Sequence, residues 1–487
     1  MKKCFLSFLG ICLVVVGMAD VRLPQIFSTN MVLQRNIVIP VWGWAAPGEK
    51  ISVQFNKQTK TTKAGRDGKW NVALNQEMAG GPFTLIVKGK NTVTIDNVLV
   101  GEVWLLSGQS NMEMMVKHSS DKRYDKDIRE ASNNQIRHIK FATTVSDTPA
   151  LDVPGVWKIG NDSNNVADFS SVGYFFAQKL YEELHVPIGL VNATWGGTIV
   201  ETWTSREALD KDNDLKTGIK KTYAEVKAAK PDGKVGPNEY PSLLYNGMIH
   251  PLIPYAIKGA LWYQGESNAG RAKQYAKSFP LMIADWRARW KEGEFPFYFV
   301  QLASWNANNG NSANGSSWAE LREAQTSTLS IPNSGMAVAL DIGDSKDIHP
   351  SNKKEVGLRL AAIALIKNYG QKGEYSGPVY ESMATAGSKA LLSFKHADEL
   401  WIKDNYGYLK GFEVAGADQK FYYAKAAVND GKVEVFSDSV AAPVAVRYGW
   451  ADDMPEANLY NKSGFPAVPF RTDNWKGVTD NEKYTVQ

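Results

Sequence analysis

Hydrophobic and polar positions fall into three textures along the chain. From residue 20 to about 100, short apolar or β-branched runs at 37–42, 51–55, 84–87 and 93–95 are separated by Pro47-Gly48, Asp67-Gly68 and Gly80-Gly81-Pro82. Short runs between Gly and Pro punctuation predict strands, and their spacing predicts a sandwich-like β domain over 20–100. Pro40 falls inside the first run and has no N–H to donate, which places that strand at an edge or a bulge. No titratable cluster marks this region, so a structural role is expected of it.

After Val98 the texture changes. Apolar segments at 103–106, 188–193, 256–263, 297–301 and 337–341 alternate with helical stretches at 172–184, 272–290, 318–329 and 353–368. Continuously apolar strands separated by helices predict a parallel sheet covered on both faces. The fold class expected for 101–374 is therefore α/β. A Lys-rich stretch over 205–241 predicts a solvated helical insertion. The Asn/Gly/Ser segment 306–317 reads equally as the rim of a site or as plain surface. Beyond residue 375 short strands return at 390–394, 400–402, 421–424, 433–436 and 445–448, predicting a C-terminal β region over 375–487. No repeat of fixed period is present.

The first 19 residues stand apart. Lys2 and Lys3 precede an apolar run over 4–17, and Gly17-Met18-Ala19 offers small residues at a cleavage site. This is the pattern of an export signal, so the mature chain is expected in the periplasm or outside the cell. Cys4 and Cys12 both lie within it. The mature chain then has no disulfide and no Cys-ligated metal. No later apolar run reaches 18 residues, so no membrane-spanning helix is expected after signal removal. Lys+Arg 55 against Asp+Glu 51 gives a net charge of only +4, which argues against a nucleic-acid partner. The 15 tryptophans suit stacking on sugars and core packing alike, and decide nothing.

Six histidines are present, and none forms His-x-His or His-Glu-x-x-His, so zinc is not signalled. Asp341, Asp344 and Asp347 lack the spacing and closing Glu of a calcium loop. No glycine-rich phosphate loop occurs. Nucleophilic chemistry is better supported. Glu102-Val103-Trp104-Leu105-Leu106-Ser107-Gly108-Gln109-Ser110-Asn111-Met112 is a strand running into a Gly-x-Ser turn. Ser110 there sits at a sheet's carboxyl edge beside backbone N–H groups, a position suited to a nucleophile. Gly-x-Ser alone is weak, since Ser267, Ser317 and Ser345 share it, and Met112 replaces the last Gly of the familiar elbow. The best base is His349 in Asp347-Ile348-His349-Pro350, a strand-to-helix loop. Asn192-Ala193-Thr194-Trp195-Gly196-Gly197-Thr198 and Trp262-Tyr263-Gln264-Gly265-Glu266-Ser267-Asn268 also end strands in Gly and polar residues. Their Gly backbone and side-chain amides suit contact with a substrate oxygen.

Together these segments resemble the bacterial sialate O-acetylesterase family of the SGNH hydrolase superfamily. The likeness extends to Pro24-Gln25-Ile26-Phe27, Met31-Val32-Leu33-Gln34-Arg35, Val41-Trp42-Gly43-Trp44, Tyr245-Asn246-Gly247-Met248-Ile249, Gly411-Phe412-Glu413-Val414-Ala415-Gly416, Val446-Arg447-Tyr448-Gly449-Trp450, Asn458-Leu459-Tyr460 and Pro469-Phe470-Arg471-Thr472. It implies a three-layer α/β hydrolase domain for 101–374 and a carbohydrate esterase that removes acetyl groups from O-acetylated sugars, sialic acids first, without metal or other cofactor. The resemblance makes Ser110 the nucleophile, His349 the base and Asp347 its orienting carboxylate. It assigns the oxyanion hole to the N–H of Ser110, an N–H of Gly196 or Gly197, and an amide, first Gln264. Asn111, Glu266 and Asn268 become supporting residues. Two departures leave choices open. The superfamily's Asp stands three residues before His, where this chain has Lys346, so Asp347 and Asp344 compete. The Asn of the central block is displaced by one, so Gln264 and Asn268 compete as donors. An esterase of acetylated xylan or another polysaccharide would share the mechanism. A non-catalytic glycan-binding protein is the rival of another class, and it has no need of Ser110 and His349.

Overall fold

The apolar segment after Val98 is the second half of one 17-residue strand, Thr92–Gly108 (β1). The computed structural model describes residues 20–118, 122–230, 232, 235–306, 310–404 and 407–486; the expected export signal, residues 1–19, lies outside them. The first half of β1 pairs antiparallel with Gly80–Lys88 and parallel with Val32–Gln34 in the N-terminal β region. Its second half is the centre of the α/β sheet. The boundary expected at 100/101 therefore falls inside a continuous strand.

The sheet continues with Ile136–Phe141 (β2), Gly155–Ile159 (β3), Ile188–Thr194 (β4), Gly259–Tyr263 (β5), Phe297–Val300 (β6) and Ser334–Ala337 (β7), in the spatial order β7-β6-β5-β1-β4-β2-β3. Every pair is parallel except the edge pair β2–β3. Neither β2 nor the edge strand β3 was expected, because Arg137, His138 and Lys140 interrupt the apolar run of β2 and β3 is short and partly exposed. The strand expected at 337–341 lies earlier, as β7. Leu340–Ile342 is a 3-10 turn, and the Asp341 carboxylate in it is held by Arg359.

Alternate residues of β1 face opposite layers. Val103 and Leu105 share a core with Trp262, Phe279 and Trp286; Trp104 and Leu106 share another with Phe175, Phe176 and Leu360. Each fully buried side chain of this size contributes about 1.5–3 kcal/mol. The helices that frame the sheet and the turn after β1 are Ser110–Glu113 (α1), Ser171–Leu184 (α2), Ala272–Trp290 (α3), Ser317–Ser327 (α4) and Lys353–Tyr369 (α5). α2 and α5 cover one face of the sheet, and α3 and α4 the other. The starts of α2 and α5 are set by Ser170 and Asn352, whose side chains accept the Gly173 and Glu355 N–H groups.

In the N-terminal region, Ile39–Trp44 pairs only with Lys69–Leu74, so Pro40 does lie on a sheet edge. The Lys-rich insertion carries three short helices, Arg206–Leu209, Asn213–Gly218 and Tyr223–Ala228. The C-terminal region holds two four-stranded sheets and a strand pair. It is tied to α5 through Asp341, which accepts from Arg359 at 2.7 and 2.8 Å and from the Tyr460 hydroxyl at 2.8 Å. Burial pushes the Asp341 carboxyl up, but the Arg359 bonds outweigh it and leave the group below its ordinary range.

The Arg359 and Asp341 side chains are 5% and 4% exposed. Asp341→Ala would leave a buried guanidinium short of its partner and is expected to cost about 3 kcal/mol, read as a lower denaturation midpoint. Because the folded carboxyl lies below its unfolded value of ~3.9, that stabilisation is present above about pH 4 and fades as pH falls further.

Candidate active site

Three strands end side by side, because Gly108 of β1 pairs with Thr194 of β4 and Tyr263 of β5. The chain fills one side of β1 with β4 before crossing to β5 on the other. The crevice at such a switch point, beyond the strands' carboxyl ends, is where open α/β sheets bind ligands. Gly108 has φ +122°, and a Cβ there would stand 2.3 Å from the Tyr263 carbonyl oxygen, so only glycine lets β1 turn this close to β5. The Gln109 N–H then donates to Tyr263 O at 3.0 Å, and Ser110 opens α1. Met112 replaces the elbow's Gly because it is buried in the core with Leu106.

Ser110 Oγ and His349 Nε2 are 2.8 Å apart. Burial first, and then the Lys353 ammonium, hold the His349 ring below the ordinary histidine range, against the opposing pull of Asp347. Asp347 is the carboxylate beside the ring, with Oδ1 3.5 Å from Nδ1 and 54% of its side chain exposed. That separation exceeds a good hydrogen bond. The same oxygen accepts the His349 backbone N–H at 2.8 Å. Asp344 turns away and accepts the Lys346 N–H at 2.8 Å.

The expected oxyanion donors separate. Gly196 lies against Ser110: a Cβ on it would stand 3.3 Å from Ser110 Cβ. Its N–H, however, donates to Glu113 Oε2 at 2.7 Å. Among the described residues, the N–H groups of Ser110 and Gly197 meet no protein acceptor. Gln264 is corrected as a donor. It is fully buried, and its Nε2 gives its hydrogens to Thr198 O at 2.9 Å and Asn268 Oδ1 at 2.7 Å. Asn268 is corrected likewise, since its Nδ2 donates to Glu201 Oε2 at 3.1 Å and its Oδ1 also accepts the Val200 N–H. Both amides build the wall behind the site. Glu266 and Asn111 do lie together, with Asn111 Nδ2 2.6 Å from Glu266 Oε1. Burial raises the Glu266 carboxyl, against the Asn111 bond and the Lys353 charge.

Three further residues escape sequence reasoning. Glu113 closes α1 on the Gly196 N–H, and Lys140 holds it at 3.0 Å while also donating to Thr194 O and Oγ1. Lys353 donates to Asn111 Oδ1 and Pro350 O. Glu113 carried a faint signal, standing one helical turn after Ser110. The lysines carried none, because lysine at a strand end or in a first helical turn reads as solvated. His138 is a core residue beside Asn192, and burial pushes it down to about 3. The 306–317 segment is pinned rather than loose where it is described: Gly310 N–H and Ser316 Oγ both donate to Asp452. No cluster of His, Cys, Asp and Glu suited to a metal occurs among the described residues, nor any helix long and apolar enough to cross a membrane.

Comparison with known proteins agrees with this architecture. The profile of the carbohydrate esterases known as sialic acid-specific acetylesterases matches residues 100–366. The sialate O-acetylesterase of Homo sapiens is 30% identical over 92% of this chain and 92% of its own. That of Mus musculus is 31% identical over 92% of this chain and 94% of its own. A carbohydrate acetylesterase of Xanthomonas citri has a solved structure that superposes with a TM-score of 0.85, at 41% identity over 93% of this chain and 100% of its own. The chain is an esterase, and it belongs to the sialic acid-specific acetylesterase family of carbohydrate esterases.

Proposed function

We propose that this esterase removes O-acetyl groups from sialic acids through an acetyl-enzyme on Ser110, and that residues 1–19 direct its export. The observation that carries the mechanism is the 2.8 Å contact between Ser110 Oγ and His349 Nε2 at the sheet's carboxyl edge. Ser110 Oγ attacks the acetyl carbonyl as His349 Nε2 takes its proton. The Ser110 N–H, with Gly197 or Gly196 once Glu113 releases it, faces the developing oxyanion. His349 returns the proton to the departing sugar oxygen and leaves acetyl-Ser110. Water then attacks, with His349 again the base, and releases acetate. Asp347 adds negative charge beside the imidazolium from the solvent side.

The family match and the mammalian relatives support sialic acid as the substrate. The Xanthomonas relative, more similar in sequence and named only as a carbohydrate acetylesterase, supports a second reading: the same chemistry on xylan or another acetylated polysaccharide. Acetate release from O-acetylated sialic acid and from acetylated xylan, measured in parallel, separates the two. Faster release from xylan would replace the substrate and keep the mechanism.

Ser110→Ala is expected to lower kcat by ~10³-fold or more on whichever substrate is cleaved. Near-wild-type turnover in that variant would sink the nucleophile assignment. The base works only when neutral, and burial and the Lys353 charge hold His349 below the ordinary histidine value of ~6.5. Activity should therefore stay level from neutral pH down past 6.5 and fall only in more acid solution. A profile already declining above pH 6.5 would contradict that environment.

A further inference from the structure

His349 is the reacting group that stands on a loop, so its reach to Ser110 depends on what fixes that loop. Asp347 is a weak anchor for the ring, being exposed and 3.5 Å from Nδ1. The backbone on either side of His349 is held instead from beneath. Asn111 Nδ2 donates to the Ile348 carbonyl at 3.1 Å, and Lys353 Nζ donates to the Pro350 carbonyl at 2.7 Å. The two holders are themselves joined, Lys353 Nζ donating to Asn111 Oδ1 at 2.5 Å. Asn111 in turn donates to Glu266 Oε1, while Glu266 Oε2 is buried and accepts from no described group. Because Asn111 directly follows Ser110, this bracket ties the nucleophile's turn to the base's loop.

Lys353 is 1% exposed. A lysine is costly to bury, and packing alone would be served as well by methionine. We propose that Lys353 is a positioning residue of the esterase reaction: through Asn111 and the Pro350 carbonyl it holds His349 Nε2 on Ser110 Oγ. The inference rests on Ser110 and His349 being nucleophile and base.

The charged groups around the ring are Lys353 and Asp347. Lys353 is faced in turn by Glu266 and Asp347, with the Tyr263 ring 5.6 Å from its Nζ. Burial pushes the Lys353 ammonium down to about 7, so it carries its charge in the acid range where His349 titrates. The two bonds of the bracket use only two of the Nζ hydrogens, so they outlast its deprotonation.

The test is hydrolysis of 4-nitrophenyl acetate across pH by the full chain, Lys353→Met, Asp347→Ala and Ser110→Ala. Lys353→Met is expected to lower kcat by ~10²-fold through misplacement of His349. KM should move by less than about 2-fold. The acid limb of the profile should shift to higher pH, because a cation that disfavours the imidazolium is gone. A kcat within about 3-fold of wild type would overturn the proposal, as would a loss of kcat with the acid limb unmoved, the signature of a merely structural residue. Asp347→Ala bears on the same point from an exposed position where folding is not at stake. It should cost less than about 10-fold, and a loss near that of Ser110→Ala would overturn the proposal even if Lys353→Met did not fold. Full activity in Ser110→Ala would instead reject the nucleophile and base assignment on which the bracket stands.

Discussion

Burial of β1 on both faces is the constraint on which the rest depends. Val103 and Leu105 close one core and Trp104 and Leu106 the other, so the strand is fixed against rotation as well as against slip. Its pairing fixes two neighbours in register, and all three end at the same level. Gly108 then converts that register into geometry. It brings β1 so close to β5 that a Cβ would strike the Tyr263 carbonyl, and Ser110 emerges two residues later at the switch point. The same strand begins in the N-terminal β region, which makes that region an extension of the central sheet rather than a tethered module.

The C-terminal region steadies the same edge of the sheet from the other end. Arg322 of α4 is fully buried and donates to the carbonyls of Leu302, Ala303, Ala451 and Asp452, so one guanidinium joins the loop after β6 to the C-terminal chain. Asp452 turns back on the 306–317 segment, and Asp453 accepts from Ser345 in the loop that carries His349. A loop rich in Asn, Gly and Ser pays its ordering entropy only where such partners exist. These contacts give the C-terminal strands a bracing role near the base, whatever else they bind.

Much of the fold was legible because burial leaves a pattern. α3 runs from 272 to 290 as its sequence predicts, and the two-sided strands β4, β5 and β6 read as continuous apolar runs. The strands β2 and β3 were not legible: β3 is a partly exposed edge, and β2, though inside the sheet, carries Arg137, His138 and Lys140, whose partners Asn97, Asn192 and Glu113 are distant in sequence. Strand-end motifs made Ser110 and His349 candidates, the family resemblance paired them, and they stand 2.8 Å apart. The fate of the amides was not. Gln264 lies at a strand end beside Gly265, as a substrate donor would, yet its hydrogens are committed to Thr198 and Asn268. Only the neighbours decide whether an amide faces ligand or wall, and those neighbours are distant in sequence. The half-buried Lys140 and the buried Lys353 are illegible for the same reason, because the partners that make them tolerable come from elements distant in sequence.

Those lysines share a logic. Lys140 is paired with Glu113 at 3.0 Å, and Lys353 reaches Glu266 through the Asn111 amide. Each cation near Ser110 is thus matched by a carboxylate. Acyl transfer creates an oxyanion and an imidazolium together, a few ångströms apart. An unmatched cation in this low-dielectric pocket would favour the first and oppose the second, and an unmatched carboxylate would do the reverse. Pairing weakens each of these effects without cancelling it, and leaves oriented N–H dipoles to act on a proposed oxyanion locally. The Glu113 grip on Gly196 belongs to this balance. On the proposed mechanism, an oxyanion competing for that N–H would displace a carboxylate that Lys140 stands ready to retain, so the donor would be released without setting a bare charge free beside Ser110.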